Sequence, residues 1–339
     1  MRAVVLDDEP RSLRVVSDWP EPEPGPGEVL VQVRGVGICG SDLALHAGRR
    51  QPPSFPWLIG HETFGEIAAT GPGVDAGRAG QRVVIEPNIP CGGCPACRAG
   101  RTSACPHRRS LGFTAPGTLA ERIAVPAAFA WPVPADWGDG DAVCAEPLTV
   151  ALAAVRRATA VLAATAAPPP AAGPDRCLVI GAGSQGTLAC IALTACGISP
   201  AVLDPHRGRL ALATELGARP AGPADTGFGL VFETSGAPAA LAEAVDRAAP
   251  GGLIVLIGQN SRPVPLVTQR IVQRQLTLMG SLIYDHPGDF AEVTGGPEPG
   301  RNAGRVLRAC YPMAEAEAAF RAAAEVPGKT WIRVQPPEA

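Results

Sequence analysis

The period of the apolar positions changes along the chain, and the change divides it. From Val4 to Pro132 the apolar runs are short and separated by turns. VVL at the start and EVLVQVRGV from Glu28 alternate as a half-buried strand does. FGEIAATGPGV and QRVVIEP predict two further short strands, and SLGFTAPGTLAERIAVPAAFAWPVP predicts strands and turns again. Pro20, Pro22, Pro24 and Pro26 exclude regular structure between the first two strands. Such a unit, β-rich with many turns, suits a barrel-like domain. From Ala142, AVCAEPLTVALAAVRRATAVLAATA turns helical, with apolar residues recurring every three or four positions from Leu148 onward. Pro168 to Arg176 (PPPAAGPDR) then reads as an exposed loop, either a boundary or an insertion beside one. Beyond it, RCLVI, AVLD, LVFETSG, GGLIVLIG and QLTLMGSLI alternate with the helical stretches TLACIALTAC, RGRLALATELG and ALAEAVDRAA. That alternation indicates parallel βαβ units. AEAEAAFRAAAEVPGKTWIRV closes the sequence as a helix and a returning strand.

A length of 339 residues allows two domains, each with its own core. The net charge of −3, with no basic tract, argues against a nucleic-acid partner. Lysine occurs once, at Lys329, a bias that suggests genomic base composition rather than chemistry. No charged, then apolar, leader opens the sequence, and no uninterrupted apolar run reaches ~18 residues. The longest, Ala158 to Ala172, is mostly alanine and ends in prolines. The expectation is a cytoplasmic protein with no membrane partner. In that compartment ten cysteines suggest metal binding and burial rather than disulfides.

Three stretches carry chemistry. Gly37 to Gly65 offers a thiol at Cys39, an imidazole at His61 and a carboxylate at Glu62, the donor types that zinc accepts. Gly37, Gly40, Gly60 and Gly65 suggest backbone held where a side chain would obstruct. Taken alone, the stretch reads equally as a buried thiol, a buried histidine and turn glycines. Cys91, Cys94, Cys97 and Cys105 form two C-x2-C steps with a shared middle cysteine and a fourth thiol eight residues on. Four thiolates close a tetrahedron and leave no open position, which is a structural zinc site; a redox C-x-x-C needs only two of them. Gly181-Ala-Gly183-Ser184-Gln185-Gly186 is G-x-G-x-x-G between a predicted strand and a predicted helix, the context of a dinucleotide loop. Asp204 closes the next strand, where a carboxylate accepts from ribose hydroxyls and repels a 2′-phosphate, favouring NAD over NADP. Its alternative reading is a helix N-cap. Arg207 and Arg209 lie near enough to bear on that choice.

With these pieces on one chain, the sequence resembles the zinc-dependent medium-chain dehydrogenase/reductase family over nearly its whole length. The likeness rests on Gly37-Ile-Cys-Gly-Ser-Asp42, Gly60-His-Glu62 with Gly65, the four cysteines, Glu146-Pro-Leu148, GAGSQG and Asp204. It implies an α/β chain with a GroES-like catalytic domain from 1–150 and 282–339 and a Rossmann NAD-binding domain from 151–281. Glu146-Pro-Leu148, where alcohol dehydrogenases of the family carry a cysteine ligand, points to the sorbitol, sugar and cyclitol branch. The resemblance implies a catalytic zinc on Cys39 and His61, with Glu62, Glu146, or the two in exchange with water in the third place. Cys144 is a weaker substitute. Ser41 would bond the reacting hydroxyl, and Cys91, Cys94, Cys97 and Cys105 would hold the second zinc. The cofactor set is Gly181, Gly183, Ser184, Gln185, Gly186, Asp204, Arg209, Ile257 and Ser281.

The activity implied is reversible oxidation of a secondary alcohol to a ketone with NAD, on a small polar alcohol. The segment from His46 to Trp57 and the loop around Phe113 are expected to line the pocket. Ala44 stands where many members carry a proton-relay histidine; His46, two residues on, is the candidate replacement, with a water chain or Glu146 as other routes. His107, His206 and His286 have no motif context and read as solvent-facing or packing residues. Threonine dehydrogenase-like oxidation of an amino alcohol is the nearest rival. Zinc-free quinone reductases of the same fold lack this ligand set. An inactive module that binds NAD and zinc is the rival from another class. Relatives assemble as dimers or tetramers through the Rossmann edge, here LTLMGSLI.

Overall fold

The computed structural model describes residues 1–164, 176–264, 266–295 and 300–335. Its contacts fall into two units, Met1–Glu146 with the chain from Asp285 onward, and Pro147–Tyr284. The break expected over Pro168 to Arg176 lies outside the described residues, apart from Arg176 itself.

The first unit is built on β1 (Ala3–Asp7), β2 (Ser12–Val16), β3 (Glu28–Gly37), α1 (Gly40–His46), β4 (Trp57–Leu58), β5 (Glu62–Thr70), β6 (Arg82–Ile85), β7 (Asn88–Ile89), α2 (Pro95–Arg98), β8 (Arg109–Ser110), β9 (Arg122–Pro126) and β10 (Ala130–Pro132). β3 is its spine. It pairs with β5 along its length, with β9 near its start, and with a strand from the far end of the sequence near its finish. The alternation read in EVLVQVRGV is real: Val29, Val31 and Val33 are buried, with half-exposed residues between them. Several short elements had no readable pattern, β2 and α1 among them. β2 carries a single buried residue, Leu13. α1 is a seven-residue turn-and-a-half inside a glycine-rich run.

Several glycines of this unit are spatial requirements. A Cβ at Gly65 would sit 2.2 Å from the Gln32 carbonyl oxygen, and one at Gly37 would sit 2.3 Å from Glu62 Oε2. Gly40 differs: a Cβ there meets nothing within 4 Å. The helix α3 (Asp139–Ala164) begins three residues before the stretch read as helical from Ala142 and runs through Pro147. Every residue from Ala142 to Thr149 other than Pro147 is buried by 95 % or more, so no polar face marks the period there. By length and composition alone α3 could cross a membrane, but Val143, Leu148, Ala151, Val155 and Ala158 are buried within the protein.

The second unit holds β11 (Cys177–Ile180), α4 (Ser184–Ala195), β12 (Pro200–Leu203), α5 (Arg207–Glu215), β13 (Arg219–Pro220), β14 (Phe228–Glu233), α6 (Pro238–Arg247), β15 (Ala248–Leu256), α7 (Thr268–Gln273) and β16 (Thr277–Gly280). All five strand pairings are parallel, in the order β13-β12-β11-β14-β15-β16. Numbered within the unit this is 3-2-1-4-5-6, the doubly wound dinucleotide-binding order, with its reversal between β11 and β14. β11 and β14 are buried at every residue, as central parallel strands should be. Only β13 and α7 were unmarked in the sequence, since both are short and largely exposed.

The chain returns to the first unit through α8 (Gly288–Gly295), β17 (Leu307–Pro312), α9 (Ala316–Glu325) and β18 (Lys329–Arg333). β18 pairs antiparallel with the end of β3, setting Trp331 opposite Gly37 and Ile332 opposite Val36. Within the register β3 also sets Gly37 opposite Glu62. Three strand ends, from distant parts of the sequence, therefore meet at one place.

Crowding at Gly65 gives a test. Gly65→Ala should destabilise the protein by about 1–3 kcal/mol in denaturant unfolding, because backbone cannot yield as a side chain can. Gly40→Ala, in open space on a helix, should be neutral or slightly stabilising. Equal loss in both would refute the reading of Gly65 as a close-approach glycine.

Candidate active site

The meeting of β3, β5 and β18 brings together Cys39, just past β3, His61, just before β5, and Glu62, its first residue. Their ligand atoms lie within 4.8 Å of one another. His61 and Glu62 are buried and Cys39 is half-buried. Asp42, in the first turn of α1, holds two of them. Its Oδ2 accepts from the Cys39 backbone N–H at 3.0 Å, and its Oδ1 lies 3.2 Å from His61 Nδ1. With Nδ1–H directed at the carboxylate, Nε2 keeps its lone pair for a metal. In the metal-free site burial works to lower the His61 pKa, but the charge and hydrogen bond of Asp42, aided by Cys39, hold it well above the ordinary histidine value, so a metal at Nε2 would displace a proton.

Glu62 is fully buried and faces Lys329, itself 2 % exposed. Lys329 Nζ donates to Glu62 Oε1 at 2.7 Å and to the Ile38 carbonyl at 3.3 Å. Glu62 Oε2 lies in ion-pair contact with the same ammonium at 2.5 Å but has no hydrogen-bond partner. Burial pushes the Lys329 ammonium toward neutrality; Glu62, Cys39 and Cys144 reverse that and raise its pKa. Gly37 makes room, since a Cβ there would strike Glu62 Oε2 and press on Lys329 Cε. A thiol, an imidazole with a fixed tautomer and a carboxylate oxygen without a hydrogen bond suit a divalent cation of borderline softness such as zinc.

Of the other expected site residues, Glu146 is buried on α3 and is not in the trio whose ligand atoms converge within 4.8 Å. Cys144, on the same helix, is fully buried, and burial raises its thiol pKa, so it stays protonated. Ser41 is half-buried on the first turn of α1, with no side-chain partner among the described residues. His46, at the last turn of α1, places Nε2 3.1 Å from Glu317 Oε2 on α9 and its ring against Phe320. Phe113 packs on the His61 ring with centroids 4.9 Å apart. Asp42 and Lys329 went unassigned in the sequence. Asp42 stood inside the quoted motif; Lys329 had only its singularity to mark it.

The four cysteines converge as their spacing predicts: their Sγ atoms lie within 4.8 Å of one another. α2 starts with Cys94 as its N-cap, whose sulfur accepts from the Cys97 N–H at 3.5 Å, and Cys105 Sγ accepts from the Cys91 N–H at 3.4 Å. Backbone N–H groups of Gly93 and Cys94 lower the Cys91 thiol to about 6. The lobe also anchors the chain's return, because Ser103 N–H donates to Asp285 Oδ1 and His286 N–H to Thr102 Oγ1, both at 2.7 Å. His286 is a packing residue: it stacks on Phe129 and puts Nδ1 2.8 Å from the buried Glu86.

In the second unit, β11 runs into Gly181, whose φ of +95° favours glycine, and α4 begins at Ser184 with Gly183 as N-cap. A Cβ at Gly186 would lie 1.8 Å from the Gly181 carbonyl oxygen, so helix and loop touch there without side chains. A Cβ at Gly183 would meet nothing within 4 Å. The loop thus has a crowded first and third glycine and an open second, and Gly183 caps α4 with no side chain to occupy its first N–H groups, as pyrophosphate binding requires. Thr234, after β14, braces it through bonds to the Ile180 and Gly181 carbonyls. Gln185 donates to the Pro147 carbonyl at 3.3 Å. Asp204 accepts from Ala182 N–H and His206 N–H, both at 2.7 Å; the N-cap of α5 is His206. Arg209 lies on α5. Ile257 and Ser281 follow β15 and β16 at the carboxyl ends of the sheet, with the Ser281 hydroxyl bonded to Arg157.

Residues 25–135 match the alcohol dehydrogenase GroES-like domain, and residues 186–295 match the zinc-binding dehydrogenase family. The starvation-sensing protein RspB of Escherichia coli K12 is 34% identical over 291 residues, 82% of each chain. The solved rspB structure from E. coli CFT073, in complex with NADH, has a TM-score of 0.85 and 28% identity, covering 98% of this chain and 99% of that one. L-threonine 3-dehydrogenase of Streptomyces avermitilis is 32% identical over 342 residues, 96% of each chain. Galactitol-1-phosphate dehydrogenase from E. coli has a TM-score of 0.84 and 26% identity, covering 98% and 100%.

Two substitutions test the site's supports. Asp42→Asn should weaken zinc retention at Cys39 and His61 by roughly 10–100-fold, measured by chelator competition, and leave the four-cysteine metal untouched. Lys329→Met strands a buried carboxylate and should cost about 3–5 kcal/mol in unfolding of the metal-free protein. Adding Glu62→Leu should recover most of that loss; a double variant no better than the single one would refute the ion pair's role.

Proposed function

We propose that this chain, which belongs to the zinc-dependent medium-chain dehydrogenase/reductase family, interconverts a secondary alcohol of polyol, sugar or amino-cyclitol type and its ketone using NAD. Membership makes it an oxidoreductase of the alcohol and polyol dehydrogenase kind. The convergence of Cys39, His61 and Glu62, with the His61 tautomer fixed by Asp42, carries the reading. Zinc at these ligands would supply Lewis acidity, bringing the pKa of an alcohol oxygen down toward neutrality. Glu146 is the candidate to exchange with Glu62 in the third ligand position. Nicotinamide, carried by the second unit, would accept the hydride.

The chain's own residues do the remaining work. Asp42 keeps His61 from turning. Ser41, with its hydroxyl uncommitted, is placed to accept the proton of the reacting alcohol. If His46 takes that proton onward, Glu317 stands at 3.1 Å to stabilise the imidazolium. Phe113 covers the His61 ring and keeps bulk water from that side. Asp204, held by two backbone N–H groups, supports NAD over NADP, because its charge repels a 2′-phosphate. One zinc is catalytic and one, on Cys91, Cys94, Cys97 and Cys105, structural. We place the enzyme in the cytoplasm as a dimer or tetramer. Pairing would run through β16, which is an edge strand with Leu282 exposed beside it. Threonine-like amino alcohols are the second reading, supported by the identity to the Streptomyces avermitilis enzyme.

Metal analysis should return two zincs per chain, and a panel of polyols, sugars, cyclitols and amino alcohols should include a substrate that reduces NAD in preference to NADP. Cys39→Ser should abolish turnover with the fold intact, whereas Cys97→Ser should lower thermal stability first. NADH binding without turnover of any panel member would favour the inactive module instead.

A further inference from the structure

Arg50 belongs to the segment expected to line the pocket and has been given no individual role so far. Its Cζ sits 4.2 Å from the centroid of Phe113, and that ring in turn packs on His61, a proposed zinc ligand. Beyond the ring, its guanidinium has no hydrogen-bond or carboxylate partner among the described residues, and the residue is exposed on its other side. From Leu43 to His61 the sequence contains no acidic residue. The nearest charge acting on Arg50 is Asp42, whose two oxygens are already engaged by Cys39 and His61.

The loop that carries Arg50 is fixed. Arg50 N–H donates to the Ala44 carbonyl at 3.0 Å, tying it to α1. On the far side Arg11 bonds the Leu45 carbonyl at 3.1 Å and Gln51 Oε1 at 2.9 Å, and lies over the Phe55 ring at 4.7 Å. Stacking on Phe113 restricts the guanidinium further, so little side-chain freedom is left to lose on binding. A planar, permanently charged fork, held still and lacking an internal anion, is the group that recognises carboxylate or phosphate. Two ring contacts, of 4.2 Å and 4.9 Å, link it to His61.

We propose that Arg50 reads an anionic group, a carboxylate or a phosphate, at the end of the substrate remote from the reacting hydroxyl. The substrate class is therefore a sugar acid or sugar phosphate rather than a neutral polyol or a cationic amino-cyclitol. This rests on the alcohol dehydrogenase reading above.

The zinc- and NAD-loaded enzyme is assayed on two matched pairs, L-iditol against L-idonate and galactitol against galactitol 1-phosphate, and the same four compounds are titrated calorimetrically. One anionic member should exceed its neutral partner at least ~10-fold in kcat/KM, and which pair does so separates carboxylate from phosphate. Arg50→Gln should erase that preference while the neutral partner's kcat/KM, the NADH affinity and the melting temperature stay near wild type. Arg50→Lys should restore part of it. Anion binding that Arg50→Gln abolishes, with no turnover of any compound, would uphold the anion site and sink the dehydrogenase reading. Turnover with equal treatment of neutral and anionic members, a preference that survives Arg50→Gln, or no anion binding by the wild type would each overturn the role of Arg50.

Discussion

A lysine and a glutamate buried against each other impose the main constraint on the first unit. Desolvating Lys329 and Glu62 is costly, and their attraction repays it only if the geometry is held closely. Three strands hold it: Gly37 on β3 withdraws to leave space, Glu62 opens β5, and Lys329 opens β18. The same arrangement delivers Cys39 and His61, which follow or precede those strands by one or two residues. Stability and chemistry are therefore not separable here. Lys329 also sets a positive charge against the buried Glu62 carboxylate beside Cys39.

The second unit shows the converse design, with room left open instead of filled. A Cβ at Gly186 would strike the Gly181 carbonyl oxygen and one at Gly181 would press on Ser235 and Thr234, whereas a Cβ at Gly183 would meet nothing within 4 Å. Thr234 and the buried Glu233 fix the neighbouring turn, Glu233 Oε1 accepting from Ser235 and Gly236 N–H groups. Rigidity beside the loop makes the opening a defined shape.

Much of this was legible in the sequence, and the reasons are physical. Four thiols at ligand spacing, a glycine loop between strand and helix, and strict alternation in EVLVQVRGV are local signals that burial merely completes. What escaped was nonlocal or uniform. Lys329 gains meaning only from Glu62, 267 residues away, and a lone lysine has no period or spacing to read. Asp42 sits in the quoted motif, yet its work is done toward His61, 19 residues on, and the sequence alone does not orient a side chain. The apolar period of α3 is readable only from Leu148, because nearly every residue around Pro147 is buried, leaving no polar face. His46 was expected near the chemistry from its offset in the motif; its hydrogen bond to Glu317 on α9 could not be inferred from α1 alone.

The pairing of β18 with β3 has a consequence for how the protein is made. Cys39, His61 and Glu62 leave the ribosome early, and the entire second unit is synthesised before Lys329 emerges to complete the pocket. During that interval Glu62 has no cation, and β3 lacks one neighbour at the end where the ligands gather. The metal-binding pocket is therefore among the last parts of the protein to mature, although its ligands are among the first residues translated. A metal held by Cys39 and His61 would accordingly find its complete surroundings only after β18 has been made, whereas the four-cysteine lobe, closed within fifteen consecutive residues, has all its thiols together early in synthesis.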